Sequence, residues 1–172
     1  RVNFNKSIYA FSGVSGGSLG VGFFNSITNF EAEDATNTNY TKKTITFFGS
    51  DFLAPLIGKI FYGDIVNQFL LKTVRGFDRA IGLEDAWECG YNEIINSTQT
   101  NYFSKDFKSI YASKQNYPAL FINTVEVETG RQCWVTNVKP TTLPLGAQRD
   151  VIGSRLPKGI KYSTAINLGA RY

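Results

Sequence analysis

The sequence predicts an α/β fold with a mixed sheet held between helical layers. Three patterns carry that reading. A short apolar run, 7–12, ends in a glycine turn and is followed by a helical stretch over 17–26. An amphipathic helical stripe starts at Asp78. A continuous apolar run, Ala119 to Val125, leads through a turn sequence into a second extended segment. Strands and helices in alternation bury their apolar faces against one another in α/β layers.

The elements follow in order. Ser7 to Ser12 reads as a buried strand, and Gly17 to Ser26 as a helix. Glycines 13, 16, 17 and 20 crowd the start of that helix, where glycine costs stability, so close packing against the sheet must compensate. Residues 28–48 turn polar, rich in Asn, Thr and Lys, and read as a surface loop. Asp51 to Leu71 is apolar, with Leu53, Leu56, Ile57, Ile60 and Phe61 at helical spacing. Gly58 and Gly63 are expected to split it into two helices, the second carrying Ile65, Val66, Phe69 and Leu70. This segment reads equally as core or as a lid or wall for an acyl chain. Pro55, Lys59, Asp64 and Gln68 interrupt it too often for a transmembrane span.

Asp78 is placed to cap the next helix, whose inward stripe is Ala80, Leu83, Trp87, Tyr91 and Ile94. Arg79, Glu84, Asp85 and Glu88 are expected to face away. Ala119–Val125 is the central strand, Glu128-Thr129-Gly130-Arg131 a hairpin turn, and Gln132 to Val138 the returning strand. Thr141 to Lys161 reads as loop, and Ser163 to Tyr172 as a short helix.

Composition narrows the function. The chain has 172 residues, enough for one domain with a real core, and 42% hydrophobic content, which argues against disorder. It contains no methionine, so the expectation is a piece excised from a larger protein, a single partial domain over 1–172. The net charge of +4 is spread out, with Lys42-Lys43 the one adjacent basic pair. It reads first as an ordinary solvated surface; it permits, without requiring, attraction to an anionic membrane surface, and it offers no basic stripe for nucleic acid. Cys89 and Cys133 stand far apart and read as buried free thiols; with no histidine, no zinc site is expected.

The chemistry centres on Phe11-Ser12-Gly13-Val14-Ser15-Gly16-Gly17-Ser18-Leu19-Gly20. This stretch holds G-x-S-x-G, the pattern of a nucleophile elbow, at a predicted strand-to-helix turn. Ser15 is the candidate nucleophile; Gly13, Gly16 and Gly17 are the candidate elbow and oxyanion positions. A structural glycine turn is the competing reading. Phosphate loops are excluded on specifics, because Phe23 stands where a P-loop needs lysine. A serine hydrolase ordinarily uses a histidine base, and this chain has none. The base must be a carboxylate, a lysine, or a histidine from outside these residues.

The run Ser7 to Gly20 resembles the elbow region of the patatin-like phospholipases, in particular their bacterial, membrane-associated branch. Further matches follow in order: Asp51-Phe52-Leu53-Ala54-Pro55, Phe77-Asp78-Arg79-Ala80, Pro118 to Thr124 with Val125 to Arg131, and Tyr162-Ser163-Thr164-Ala165 with Ala170-Arg171. The resemblance implies a three-layer α/β/α sandwich. It implies a Ser-Asp dyad that hydrolyses lipid acyl esters at a membrane surface, of the phospholipase A or lysophospholipase type, without metal or organic cofactor. It places the dyad aspartate in a D-G-[GA] motif after a helix like Ser163 to Tyr172, and no aspartate here is followed by glycine. The oxyanion loop expected before the elbow strand is missing too. Asp34, Asp51, Asp64, Asp78, Asp85, Asp106 and Asp150 read as caps or surface charges. The alternative is a non-catalytic patatin-like module that binds lipid or a partner.

Overall fold

The computed structural model describes residues 7–30, 38–64, 68–69, 79–95, 100–112, 117–138, 149–150 and 159–170. Helices and strands are mixed, as an α/β chain requires. Strand β1 (Ala10–Gly13) lies parallel to β2 (Ala119–Val125), with Gly13 opposite Ile122. Strand β3 (Gln132–Thr136) returns antiparallel to β2, and the short β4 (Arg149–Asp150) runs parallel to β3. The sheet order is β1-β2-β3-β4, so β2 has partners on both sides, as its continuous apolar run implies.

Side chains alternate across a strand. The registers therefore put Phe11, Gly13, Leu120, Ile122 and Val135 on one face, and Ser12, Phe121, Asn123 and Trp134 on the other. The hairpin turns where predicted: Gly130 has φ 64°, its N–H donates to Glu126 O at 2.8 Å, and the Thr129 hydroxyl donates to the Glu126 carboxylate. Positive φ is why glycine is needed there.

Helix α1 (Gly16–Asn25) continues as a π-helical turn through Phe30 and buries Leu19, Phe23 and Ile27 against the first face. The C-terminal helix, α6 (Tyr162–Ala170), packs beside it and against β2. A Cβ on Gly22 would lie 2.3 Å from Ile166 Cδ1, so the glycine in α1 is what lets these two helices approach. Between them Asn25 donates to the hydroxyls of Tyr111 (2.9 Å) and Tyr162 (3.2 Å), and Tyr162 donates to Gly22 O. Burial pushes the Tyr162 phenol up to about 12, and raises Tyr111 well above its ordinary value. An aromatic cluster of Phe23, Phe47, Tyr91, Phe103 and Tyr162 fills the core, with neighbouring centroids 4.5–5.7 Å apart. Each such pair adds about 0.5–1.5 kcal/mol beyond its buried area.

The surface loop expected over 28–48 is corrected. Thr28 lies in the π-helical turn, and Thr38–Gly49 forms helix α2. Its polar composition conceals a narrow inward stripe, Tyr40, Lys43 and Phe47, with Phe47 fully buried. Thr44 satisfies its hydroxyl on Tyr40 O, so threonine sits in the helix at little cost.

Helix α3 (Leu53–Gly58) is started by Asp51, whose Oδ1 accepts from the N–H groups of Leu53 and Ala54. Gly58 does not break it. Lys59 stays right-handed helical, and the chain widens into a π-helical arm, Lys59–Asp64. Of the expected second helix, Ile65, Val66 and Leu70 lie outside the described residues, as do Asp78 and most of Thr141 to Lys161, while Phe69 is helical and exposed.

Helix α4 (Arg79–Ile94) buries Ala80, Trp87, Tyr91 and Ile94 as predicted, and Asp85 is exposed. Glu84 and Glu88 do not face away. α4 meets α6 on a second side, and Glu84 is buried there, accepting from the Thr164 hydroxyl and Asn167 Nδ2. Glu88 accepts from Ser163 and from Lys161 Nζ at 3.0 Å. Cys89 is exposed, not buried as expected, because it lies with Asp85 and Glu93 on the face of α4 that turns away from the core; Cys133 is buried. Helix α5 (Phe107–Ala112) is capped by Asp106, whose Oδ2 accepts from the Ser109 N–H.

Candidate active site

The turn between β1 and α1 is two residues long, Val14 and Ser15. Ser15 has φ 53° and ψ −132°, and among the described residues it alone has positive φ without being glycine. Such a conformation costs about 1–3 kcal/mol and persists only where the surroundings impose it. Here they do. Ser15 N–H donates to Gly169 O at 2.7 Å, at the C-terminal turn of α6. Gly17 N–H donates to Val14 O and Ser18 N–H to Ser15 O, both at 2.9 Å. The turn is thus fixed from within and from α6.

The predicted glycines have different roles. A Cβ on Gly13 would lie 2.7 Å from Ser18 Cα, so the sharp return of the chain requires glycine. Cβ atoms on Gly16 or Gly17 would meet nothing within 4 Å. Those two positions border open space beside the exposed Ser15. Gly16 carries the first N–H of α1, and it makes no hydrogen bond among the described residues. Helix N-termini leave such donors available, and the helix dipole favours negative charge there. The structure therefore brings together all four candidates, Gly13, Ser15, Gly16 and Gly17, at the C-terminal edge of the sheet. Ligands of open α/β sheets bind at that edge.

Two site residues escape the sequence reading. Gly169 is pressed into the elbow: a Cβ there would lie 2.4 Å from Ile122 Cγ2, 2.5 Å from Ser18 Oγ and 3.2 Å from Asn123 O. Asn123 ties the end of β1 to β2, its Nδ2 donating to Ser12 Oγ at 3.0 Å and to Gly13 O at 3.1 Å. A polar amide inside the otherwise apolar run Leu120-Phe121-Ile122-Asn123 was the available signal.

The described acids with known bonds serve elsewhere. Asp51 and Asp106 cap helices, and Glu84 and Glu88 clamp α4 to α6. Asp150 sits on β4, three strands from β1, roughly 14 Å away at ordinary strand spacing. Asp34 and Asp78, and the side chain of Asp64, lie outside the described residues. Among the described residues no three Cys, Asp or Glu side chains gather into a metal-binding group. A cleft of about 360 Å³ between α3 and α4 is lined by Asp51, Phe52, Lys59, Asp85, Cys89 and Glu93, among others; Ser15 does not border it. In comparisons with known proteins, the chain matches no family model, no curated protein and no solved structure.

Proposed function

We propose that this chain carries the nucleophile of a patatin-like lipid acyl hydrolase, of the phospholipase A or lysophospholipase type. One observation supports this most: Ser15 holds φ 53° and ψ −132° at a strand-to-helix junction. An ordinary glycine turn would place a glycine at such a position, not an exposed serine. Strain kept at a hydroxyl is the mark of an elbow that presents a nucleophile.

In this reading Ser15 Oγ attacks the ester carbonyl carbon while its proton passes to a base. The carbonyl oxygen becomes an oxyanion and accepts from Gly16 N–H, the donor next to the nucleophile. The tetrahedral adduct collapses and the alcohol leaves with the proton. Water, activated by the same base, then cleaves the acyl-serine and releases the fatty acid. No histidine is present in residues 1–172, and the patatin-like resemblance assigns the base to an aspartate outside them. The contact between Ser15 N–H and Gly169 O supports that placement, since it brings the end of α6 beside the nucleophile. A carboxylate a few residues beyond α6 would be within reach. The three-layer patatin-like sandwich belongs to this proposal as well.

The test is covalent labelling of the full-length protein with a fluorophosphonate probe. Ser15 is expected to be the labelled residue, and Ser15→Ala to lose both labelling and ester hydrolysis. Labelling that survives the substitution removes Ser15 from the chemistry. An intact elbow without labelling would favour a non-catalytic lipid- or partner-binding module.

A further inference from the structure

Helix α6 holds the elbow near its C-terminal end and is itself pinned to α4. Glu84 Oε2 accepts from the Thr164 hydroxyl at 2.7 Å, and Glu84 Oε1 from Asn167 Nδ2 at 2.9 Å. Asn167 Nδ2 also donates to Ala80 O at 3.1 Å. Two residues further on, Gly169 O receives the Ser15 N–H. The amide that ties α6 to α4 is thus a helical rise of about 3 Å from the carbonyl that holds the elbow. Backbone bonds fix the start of α6, Tyr162 N–H to Lys105 O and Ser163 N–H to Phe103 O. Beyond Thr164, Asn167 is the one residue of α6 with a polar side chain.

Stability is a poor reason for this pair. Glu84 is 8% exposed and Asn167 1%. Among the described residues the Glu84 side chain accepts from neutral donors only, with no cation paired to it. A buried carboxylate without a cation is disfavoured, and apolar side chains of similar volume generally hold two helices at least as well. What the polar pair supplies is geometry. Hydrogen bonds are short and directional, so α6 can neither slide along α4 nor turn about its axis without losing one. The elbow needs that definition. The φ of 53° at Ser15 persists only under outside restraint, and the restraint from α6 is a single carbonyl, Gly169 O.

We propose that Asn167 and Glu84 are positioning residues for Ser15: acting through α6, they set the Gly169 carbonyl where it holds the Ser15 N–H, and so keep the hydroxyl in its reactive setting. Neither touches the reacting atoms. The inference rests on the nucleophile reading of Ser15 and adds to it a control from α4, a helix that contributes no residue to the turn.

The test uses the full-length protein and the double variant Glu84→Met with Asn167→Leu, which replaces both polar partners by apolar side chains of similar volume. Its melting temperature is expected to equal or exceed that of the wild type. Fluorophosphonate labelling of Ser15, measured well below that temperature, should slow by at least about tenfold, and kcat for ester hydrolysis should fall with KM unchanged. Glu84→Gln keeps the shape but offers one acceptor oxygen instead of two, and should slow labelling less. Hydrogen exchange at the Ser15 amide reads the contact to Gly169 without any chemistry. It should speed up by at least about tenfold in the double variant, while the Tyr91 amide in the core exchanges as before. Unchanged Ser15 exchange, or a wild-type labelling rate in the folded double variant, overturns the proposal, whatever the melting temperature does. If the double variant does not fold, Glu84→Gln carries the same comparison, and wild-type exchange and labelling there overturn it. A wild type that takes no label, with the faster Ser15 exchange still seen in the variant, removes the nucleophile and leaves the linkage through α6.

Discussion

Ser15 donates its backbone N–H to the carbonyl of Gly169 at 2.7 Å, so the turn between β1 and α1 is completed by helix α6. The elbow is therefore not a local motif alone. β1 and α1 supply its sequence, and α6 supplies the acceptor that holds its strained residue.

Gly169→Ala tests that dependence. The new methyl would meet Ile122, Ser18 and the carbonyl of Asn123, and the last is backbone and cannot rotate aside. Overpacking of this kind costs about 1–3 kcal/mol. Urea denaturation should show that loss, and fluorophosphonate labelling of Ser15 should slow under conditions where the variant remains folded.

Ser15→Gly and Ser15→Ala should both abolish labelling, yet differ in stability. Alanine keeps a Cβ in the positive-φ conformation, whereas glycine adopts it freely. The glycine variant is expected to be more stable than the alanine variant by about 1 kcal/mol. Equal stabilities would show that the turn stores no strain at this residue.

Asn123→Ala removes both hydrogen bonds that tie β1 to β2 at the elbow and leaves Gly13 O without its amide donor. Loss of a partly buried hydrogen bond costs about 1–3 kcal/mol. Thermal melting should fall accordingly. If the amide also orients the turn, the labelling rate of the folded fraction falls too; a purely structural amide would leave that rate unchanged.

Alkaline pH should destabilise the fold through Tyr162. Burial raises its folded value to about 12 from the ordinary 10. Between those values the unfolded chain gives up the proton and the folded chain keeps it, so stability falls as pH rises. The contribution is complete below about pH 10 and is lost through about pH 12, amounting to roughly 2–3 kcal/mol. Tyr162→Phe should flatten that part of a stability-against-pH curve. It should also cost stability at neutral pH, by leaving Asn25 and Gly22 O short of a partner.

The sequence by itself determined the strand-turn-helix order of the elbow, the central strand Ala119–Val125, the hairpin at Gly130 and the final helix; the buried strand expected over Ser7–Ser12 is instead a short, largely exposed edge strand, Ala10–Gly13. Each is written in a local pattern: a glycine turn, a continuous apolar run, a helical period. The helix Thr38–Gly49 was not legible, because its inward stripe, Tyr40, Lys43 and Phe47, is short and includes a lysine, while Ile45 and Phe48 lie outside it and blur the helical period. The outward setting of Leu53, Ile57 and Phe61 was not legible either, since periodicity gives a face but not what it meets. Only the tertiary structure turned Glu84 inward to Thr164 and Asn167, set Asn123 against Gly13, and brought Gly169 to Ser15. Those pairings join residues far apart in the chain. Their physical causes are the packing of α6 against α1, α4 and β2 and, for Asn123 and Gly13, the parallel pairing of β1 with β2, which a one-dimensional pattern cannot express.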